Sequence, residues 1–198
     1  MADTQLFVND TLARLYYVSP TQINFYVPMN APQSGTADLT VIRPSTGEIL
    51  ATGPVDMSLA SPALFTQTQT GTGQASVINE DGTVNSATNP IQRGKWVSLY
   101  LTGQGFIPNA PPDGVPPSGI VNVPYQTKVI INTGFVADSD ILFSGLAPCC
   151  VGLWQINVRV PMTVPPANNI LVVVQYRDIP SNNPSSPSQI RTTIAVKQ

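Results

Sequence analysis

The side chains that most often carry covalent or metal chemistry are nearly missing from this sequence. Its 198 residues include no histidine and two cysteines. The commonest general base and the commonest transition-metal ligand are therefore absent, and two thiolates alone cannot complete a tetrahedral zinc site. Ser-His-Asp, Cys-His and zinc-hydrolase chemistry are excluded. Among the eleven acidic residues, Asp138 and Asp140 are the calcium candidates, although a dedicated calcium site takes about six to eight oxygen ligands. Glu80-Asp81-Gly82 reads more simply as a hairpin turn, its glycine supplying a positive φ. A glycosidase needs two carboxylates facing each other across a cleft, and no pair here can be nominated. No cofactor is implied, and the expectation is a protein that is not an enzyme.

Three further groups have types and spacing that matter. Cys149 and Cys150 are adjacent, whereas a redox motif places two residues between its cysteines. Two free or partly buried thiols, a vicinal bridge and a bond to another subunit all remain open. Gln22 and Asn24, like Gln155 and Asn157, stand opposite the apolar residues of their segments. Paired amides at that spacing either read the hydroxyls of a sugar or bond a neighbouring strand and fix its register; the second is the plainer reading. Trp154 shares the inward face of Ile156 and reads as a core anchor. Tyr16, Tyr17, Tyr26 and Tyr125 are better candidates for an exposed aromatic surface.

The elements that must position these groups are strands. Ile23, Phe25 and Val27 alternate with polar residues, as do Trp154, Ile156, Val158 and Val160, and that period lines one face of a half-buried strand. Further strands are expected at 5–8, 14–18, 37–43, 57–59, 75–79, 96–101, 127–132, 170–176 and 190–196, separated by turns drawn from 14 Gly and 20 Pro. No amphipathic helix is evident. Many short strands with Pro-rich and Gly-rich turns predict an all-β chain of antiparallel sandwiches, because a parallel α/β fold would need helical crossovers.

An internal repeat divides the chain. Residues 21–29, TQINFYVPM, match 154–162, WQINVRVPM, so that Gln22, Asn24 and Pro28 correspond to Gln155, Asn157 and Pro161, each 133 residues on. Val8-Asn9 precedes the first copy as Ile131-Asn132 precedes the second. Leu39-Thr40-Val41 answers to Leu171-Val172-Val173, and 57–60 to 193–195. This predicts a first module at 1–60, a crossing segment at 61–75 and a second module at 76–198. Residues 108–124 form a Pro-rich loop within the second module, and 180–188 a polar loop before the last strand. The first module lacks a counterpart of residues 76–130, which leaves an open sheet edge or an uncovered apolar face that something should cover.

Residues 17–28 (YVSPTQINFYVP), 61–65 (SPALF), 79–86 (NEDGTVNS), 101–105 (LTGQG), 145–148 (GLAP) and 151–158 (VGLWQINV) give the chain a resemblance to the Solibacter-type uncharacterised C-terminal domain family. The resemblance implies immunoglobulin-like β-sandwich modules, the first incomplete, in an exported bacterial protein with an extracellular setting and no assigned activity. Cys149-Cys150 departs from the pattern, which has Gly and a variable residue there. The longest aliphatic run, 170–174, is far shorter than the about 20 residues of a membrane-spanning helix. A net charge of -2 with scattered Lys and Arg offers no basic stripe for nucleic acid. No signal peptide is visible at residues 1–5. The expectation is an extracellular or cell-surface protein whose partners are copies of itself or other surface proteins. A carbohydrate-binding module, with polysaccharide as partner, is the alternative.

Overall fold

The computed structural model describes residues 3–181 and 192–198. The chain is all-β, as the alternation predicts, and divides into two compact units. Residues Met1–Leu59 together with Ala110–Pro116 form the first module, and Ala60–Asn109 with Pro117–Gln198 form the second.

In the first module, strands β1 (Gln5–Val8), β2 (Thr11–Leu12), β5 (Gly35–Arg43) and β6 (Glu48–Met57) make a sheet in the order β2-β1-β5-β6, and β3 (Arg14–Val18) pairs with β4 (Ile23–Tyr26) in a separate hairpin. The second module opens with β7 (Ala63–Leu64), β8 (Gly73–Gln74), β9 (Val77–Asn79), β10 (Ile91–Gln92), β11 (Trp96–Thr102), β12 (Thr127–Ile131) and β13 (Gly134–Phe135). A 3₁₀ turn at Asp138–Asp140 leads to β14 (Ile141–Leu146), β15 (Trp154–Arg159), β16 (Ala167–Tyr176), β17 (Ile179–Pro180) and β18 (Thr192–Lys197). One of its sheets runs β14-β15-β11-β7 with β9 also on β11. The other runs β10-β18-β16-β12-β13, with β8 on β18 and β17 on β16. Val97, Leu99, Ile156 and Val158 from the first sheet and Val129, Val172, Val174 and Ile194 from the second share one buried cluster, which makes the module a sandwich.

The repeat is one of register as well as sequence. Leu6 pairs with Val41 and Val8 with Leu39, while Val129 pairs with Val174 and Ile131 with Val172. In the hairpins, Leu15 faces Phe25 and Tyr17 faces Asn24 across a one-residue bulge. Ile141 faces Val158 and Phe143 faces Asn157 across the same bulge. Bulges survive duplication because moving one would turn every later side chain to the wrong face. After each strand the motif's proline closes the same turn: Ala31 N–H donates to Pro28 O at 3.0 Å, and Val164 N–H to Pro161 O at 3.2 Å.

Several expectations need correction. Residues 61–75 are no crossing segment: β7 pairs with β11, β8 pairs with β18, and Leu64 and Ala75 are buried in the second core. The boundary falls after Leu59, since Ala60 also belongs to that core. The loop 108–124 is not wholly the second module's, because Ala110–Pro116 belongs to the first. The strand expected at 57–59 is instead β6, whose Val55 pairs with Ala37 as Ile194 pairs with Ile170. Residues 53–57, not 57–60, therefore answer to the last strand, and Leu39 and Val41 answer to Val172 and Val174 rather than to Leu171 and Val173. Residues 182–188 of the polar loop and 190–191 of the last expected strand lie outside the described residues.

A buried amide ties the second module's sheets together. Asn85, fully buried, donates from Nδ2 to Asn79 Oδ1 at 3.0 Å, and Gln74 Nε2 donates to Asn85 Oδ1 at 2.8 Å. Asn79 ends β9 and Gln74 ends β8, so the amide joins strands of opposite sheets. A buried amide is tolerated when both its oxygen and its nitrogen are satisfied in this way.

Candidate interaction surface

The two modules differ most in what they bury. The first has a fully buried apolar cluster of only Leu6, Val8, Ala13 and Ala37, flanked by half-buried Leu15, Ile23, Phe25, Leu39 and Val41. Among the described residues the second gathers 22 buried apolar residues into one cluster, including all of Trp154, Leu99 and Ile156, so only the second has a core of the size expected for a stable domain. Ile49 is 62% exposed and Leu12, Tyr17, Val27 and Leu50 are also exposed in the first module.

Among the described residues, β4 is one strand that lacks a neighbour its equivalent has. In the second module β15 lies between β14 and β11, whereas among the described residues β4 pairs with β3 alone. Successive residues of a strand point their N–H and C=O groups to opposite edges. Gln22 O accepts from Ser19 N–H at 2.8 Å, so Gln22, Asn24 and Tyr26 turn toward β3 and Ile23, Phe25 and Val27 toward the open edge. The equivalent of Val27 is Val160, whose O accepts from Gly94 N–H at 2.8 Å and whose N–H donates to Lys95 O at 2.9 Å. Among the described residues, that edge is occupied in the second module and open in the first.

The repeated amides lie along the same strands. Gln22 Nε2 donates to Asn24 Oδ1 at 2.5 Å, and Gln155 Nε2 to Asn157 Oδ1 at 2.8 Å. Asn157 Oδ1 also accepts from Ser98 Oγ on β11 at 2.9 Å; the described residues supply Asn24 with no such hydroxyl. The end of β4 is held differently: Met29 N–H donates to both carboxylate oxygens of Asp113 at 3.2 Å. Burial pushes the Tyr16 and Tyr26 hydroxyls above the usual tyrosine range, and the Asp113 charge adds to the rise.

No family model, curated protein or solved structure matches this chain. The remaining candidate residues belong to the second module. Asp138 accepts from Gln126 Nε2 at 2.7 Å, while Asp140 pairs with Arg159 Nε at 3.3 Å. The two carboxylates serve different partners. Among the described residues no group of three His, Cys, Asp or Glu side chains gathers at one point. Cys149 and Cys150, between β14 and β15, form a disulfide with each other. Trp154 is fully buried, donates from Nε1 to Ser144 Oγ at 3.0 Å and meets Tyr176 edge to face at 5.0 Å. Tyr125 is half exposed, and the Arg177 guanidinium lies 4.1 Å over its ring.

Sequence reasoning singles out neither Asp113 nor Ser98. Asp113-Gly114 after two prolines reads as an ordinary turn, and its partner Met29 is 84 residues away. Ser98 carries a weak signal, a hydroxyl interrupting the apolar run of β11.

Proposed function

We propose that the protein is a non-catalytic structural or interaction protein of the cell exterior or cell surface. It assembles with copies of itself, as a filament or surface-layer subunit, or adheres to other surface proteins through its incomplete first immunoglobulin-like module. The observation that carries this reading is the contrast between equivalent strands: β15 is flanked on both sides and β4 on one. An open strand edge beside a small core is a template for another chain, and proteins that do not use such an edge normally blunt it. The Cys149–Cys150 disulfide supports an oxidising compartment, in keeping with the resemblance to exported proteins. Sedimentation velocity and negative-stain electron microscopy of the full chain over a range of concentrations test the reading. Concentration-dependent oligomers or filaments are expected; a monodisperse monomer throughout, with no surface-protein partner, overturns it.

Carbohydrate binding is the second reading, favoured by the exposure of Tyr17 and Tyr125. It requires saturable binding on a glycan array that is lost in Tyr17→Ala or Tyr125→Ala.

A further inference from the structure

We infer that β4 accepts a strand donated by another polypeptide, antiparallel and in the register that β11 takes on β15. The inference rests on the reading of the protein as an interaction module and specifies the occupant: an extended segment with the pattern of residues 96–102, WVSLYLT. The argument is internal to the molecule, because the duplicated module shows what the edge holds when filled. There, Val97 pairs with Val158, Ser98 with Asn157, Leu99 with Ile156 and Tyr100 with Gln155. The equivalents of those β15 residues on β4 are Phe25, Asn24, Ile23 and Gln22. Val97 and Leu99 are fully buried beside Ile156 and Val158, so donor residues opposite Phe25 and Ile23 must be apolar. The donor residue opposite Asn24 faces the other way, where a small hydroxyl reaches the amide as Ser98 reaches Asn157.

Each part of the edge is ready for that ladder. Ile23, Phe25 and Val27 present their backbone groups outward, the bulge of the β3–β4 hairpin matches that of β14–β15, and Gln22 already holds Asn24 as Gln155 holds Asn157. Main-chain bonds supply the affinity of such strand addition, while alternate side chains supply the specificity. Ile23 and Phe25, half-buried beside the small core, gain cover from the donor's inward residues.

The test uses the full chain and a synthetic peptide of residues 95–103, KWVSLYLTG, with added terminal lysines for solubility. Binding is followed by titration, and amide hydrogen exchange is read residue by residue. Saturable one-to-one binding is expected, with protection gained at the Ile23, Phe25 and Val27 amides. A peptide with Val97, Leu99 and Leu101 changed to Ser is expected not to bind. Val27→Pro removes one outward N–H from an edge position that tolerates proline and is expected to weaken binding about tenfold, with the unliganded chain's melting temperature unchanged. Failure of the peptide to protect these amides, or their full protection in an unliganded monomer, overturns the inference. Self-assembly with these amides still exchanging keeps the assembly reading and sinks strand addition. Peptide binding by a chain that never oligomerises sinks self-assembly and keeps strand addition.

Discussion

Asn85 clasps both backbone groups of Ala195: Nδ2 donates to Ala195 O at 2.9 Å, and Oδ1 accepts from Ala195 N–H at 2.8 Å. A side-chain amide here completes the hydrogen bonding of β18 where a ladder strand would otherwise sit. Asn85→Leu leaves the Ala195 groups, Asn79 Oδ1 and Gln74 Nε2 without this partner. The expected loss is about 3 kcal/mol, seen as a lower urea midpoint for the second module; a loss within experimental error would show that water replaces the clasp.

Gly103 and Gly47 both have positive φ, at 82° and 71°, but only one is crowded. A Cβ on Gly103 would lie 1.7 Å from Ser61 O, whereas one on Gly47 meets nothing within 4 Å. Gly47→Ala therefore carries the left-handed penalty alone, about 1 kcal/mol. Gly103→Ala must also break the close backbone contact in which Ser61 N–H donates to Gly103 O, and about 3 kcal/mol or more is expected. Equal thermal shifts for the two variants would contradict the close approach.

Removing the charge of Asp113 should reach both the backbone of Met29 and the hydroxyl of Tyr26. In Asp113→Asn the Tyr26 pKa falls toward the usual tyrosine value without reaching it, because burial, the larger cause, remains. A spectrophotometric titration of tyrosinate reads the shift. An unchanged titration together with unchanged proteolysis of residues 27–31 would place Asp113 away from β4.

Asp81 accepts from Thr83 N–H at 3.0 Å and from Thr83 Oγ1 at 2.5 Å, and these bonds hold its carboxyl below the usual range. A carboxyl depressed on folding contributes stability above its unfolded pKa, and that contribution is lost as pH falls through the folded value. Asp81→Asn should therefore be less stable than the parent at about pH 6, with the difference shrinking as pH falls below the usual carboxylate range. Parallel urea midpoints across that range would mean that the charge contributes nothing.

With Cys149 bonded to Cys150, non-reducing electrophoresis should show no covalent oligomer. Alkylation should label neither thiol before reduction and both after it. A dimer band that collapses with reductant would assign the cysteines to a bond between subunits.

Much of this architecture is legible in the sequence where burial is one-sided. β1, β12 and β15 alternate between more and less buried positions along their length, so their apolar residues fall at every second place. β6 escapes the same reading because its first five residues are all exposed and Gly53 and Pro54 interrupt the rest. β14 escapes it because the bulge between Ile141 and Phe143 shifts the period halfway along. The shared motif marks β4 and β15 as equivalents, yet the difference between them lies in neighbours supplied from distant sequence. Asp113 and Asn85 act through partners 84 and 110 residues away, a range at which local pattern carries no information.

The placement of Ala110–Pro116 in the first module sets an order on how the chain acquires its structure. During synthesis β1 to β6 emerge ahead of β7 to β11, and the loop that binds Met29 follows only after β11 has left the ribosome. The second module waits longer still, since β18 joins β8, β10 and β16 and follows all three along the chain. Neither module matures as an uninterrupted stretch of nascent chain, and contacts of such long sequence separation make folding slow. Strand-by-strand completion of one module before the next is therefore unavailable to these two modules, and the first passes through a period with both an open edge and a missing loop.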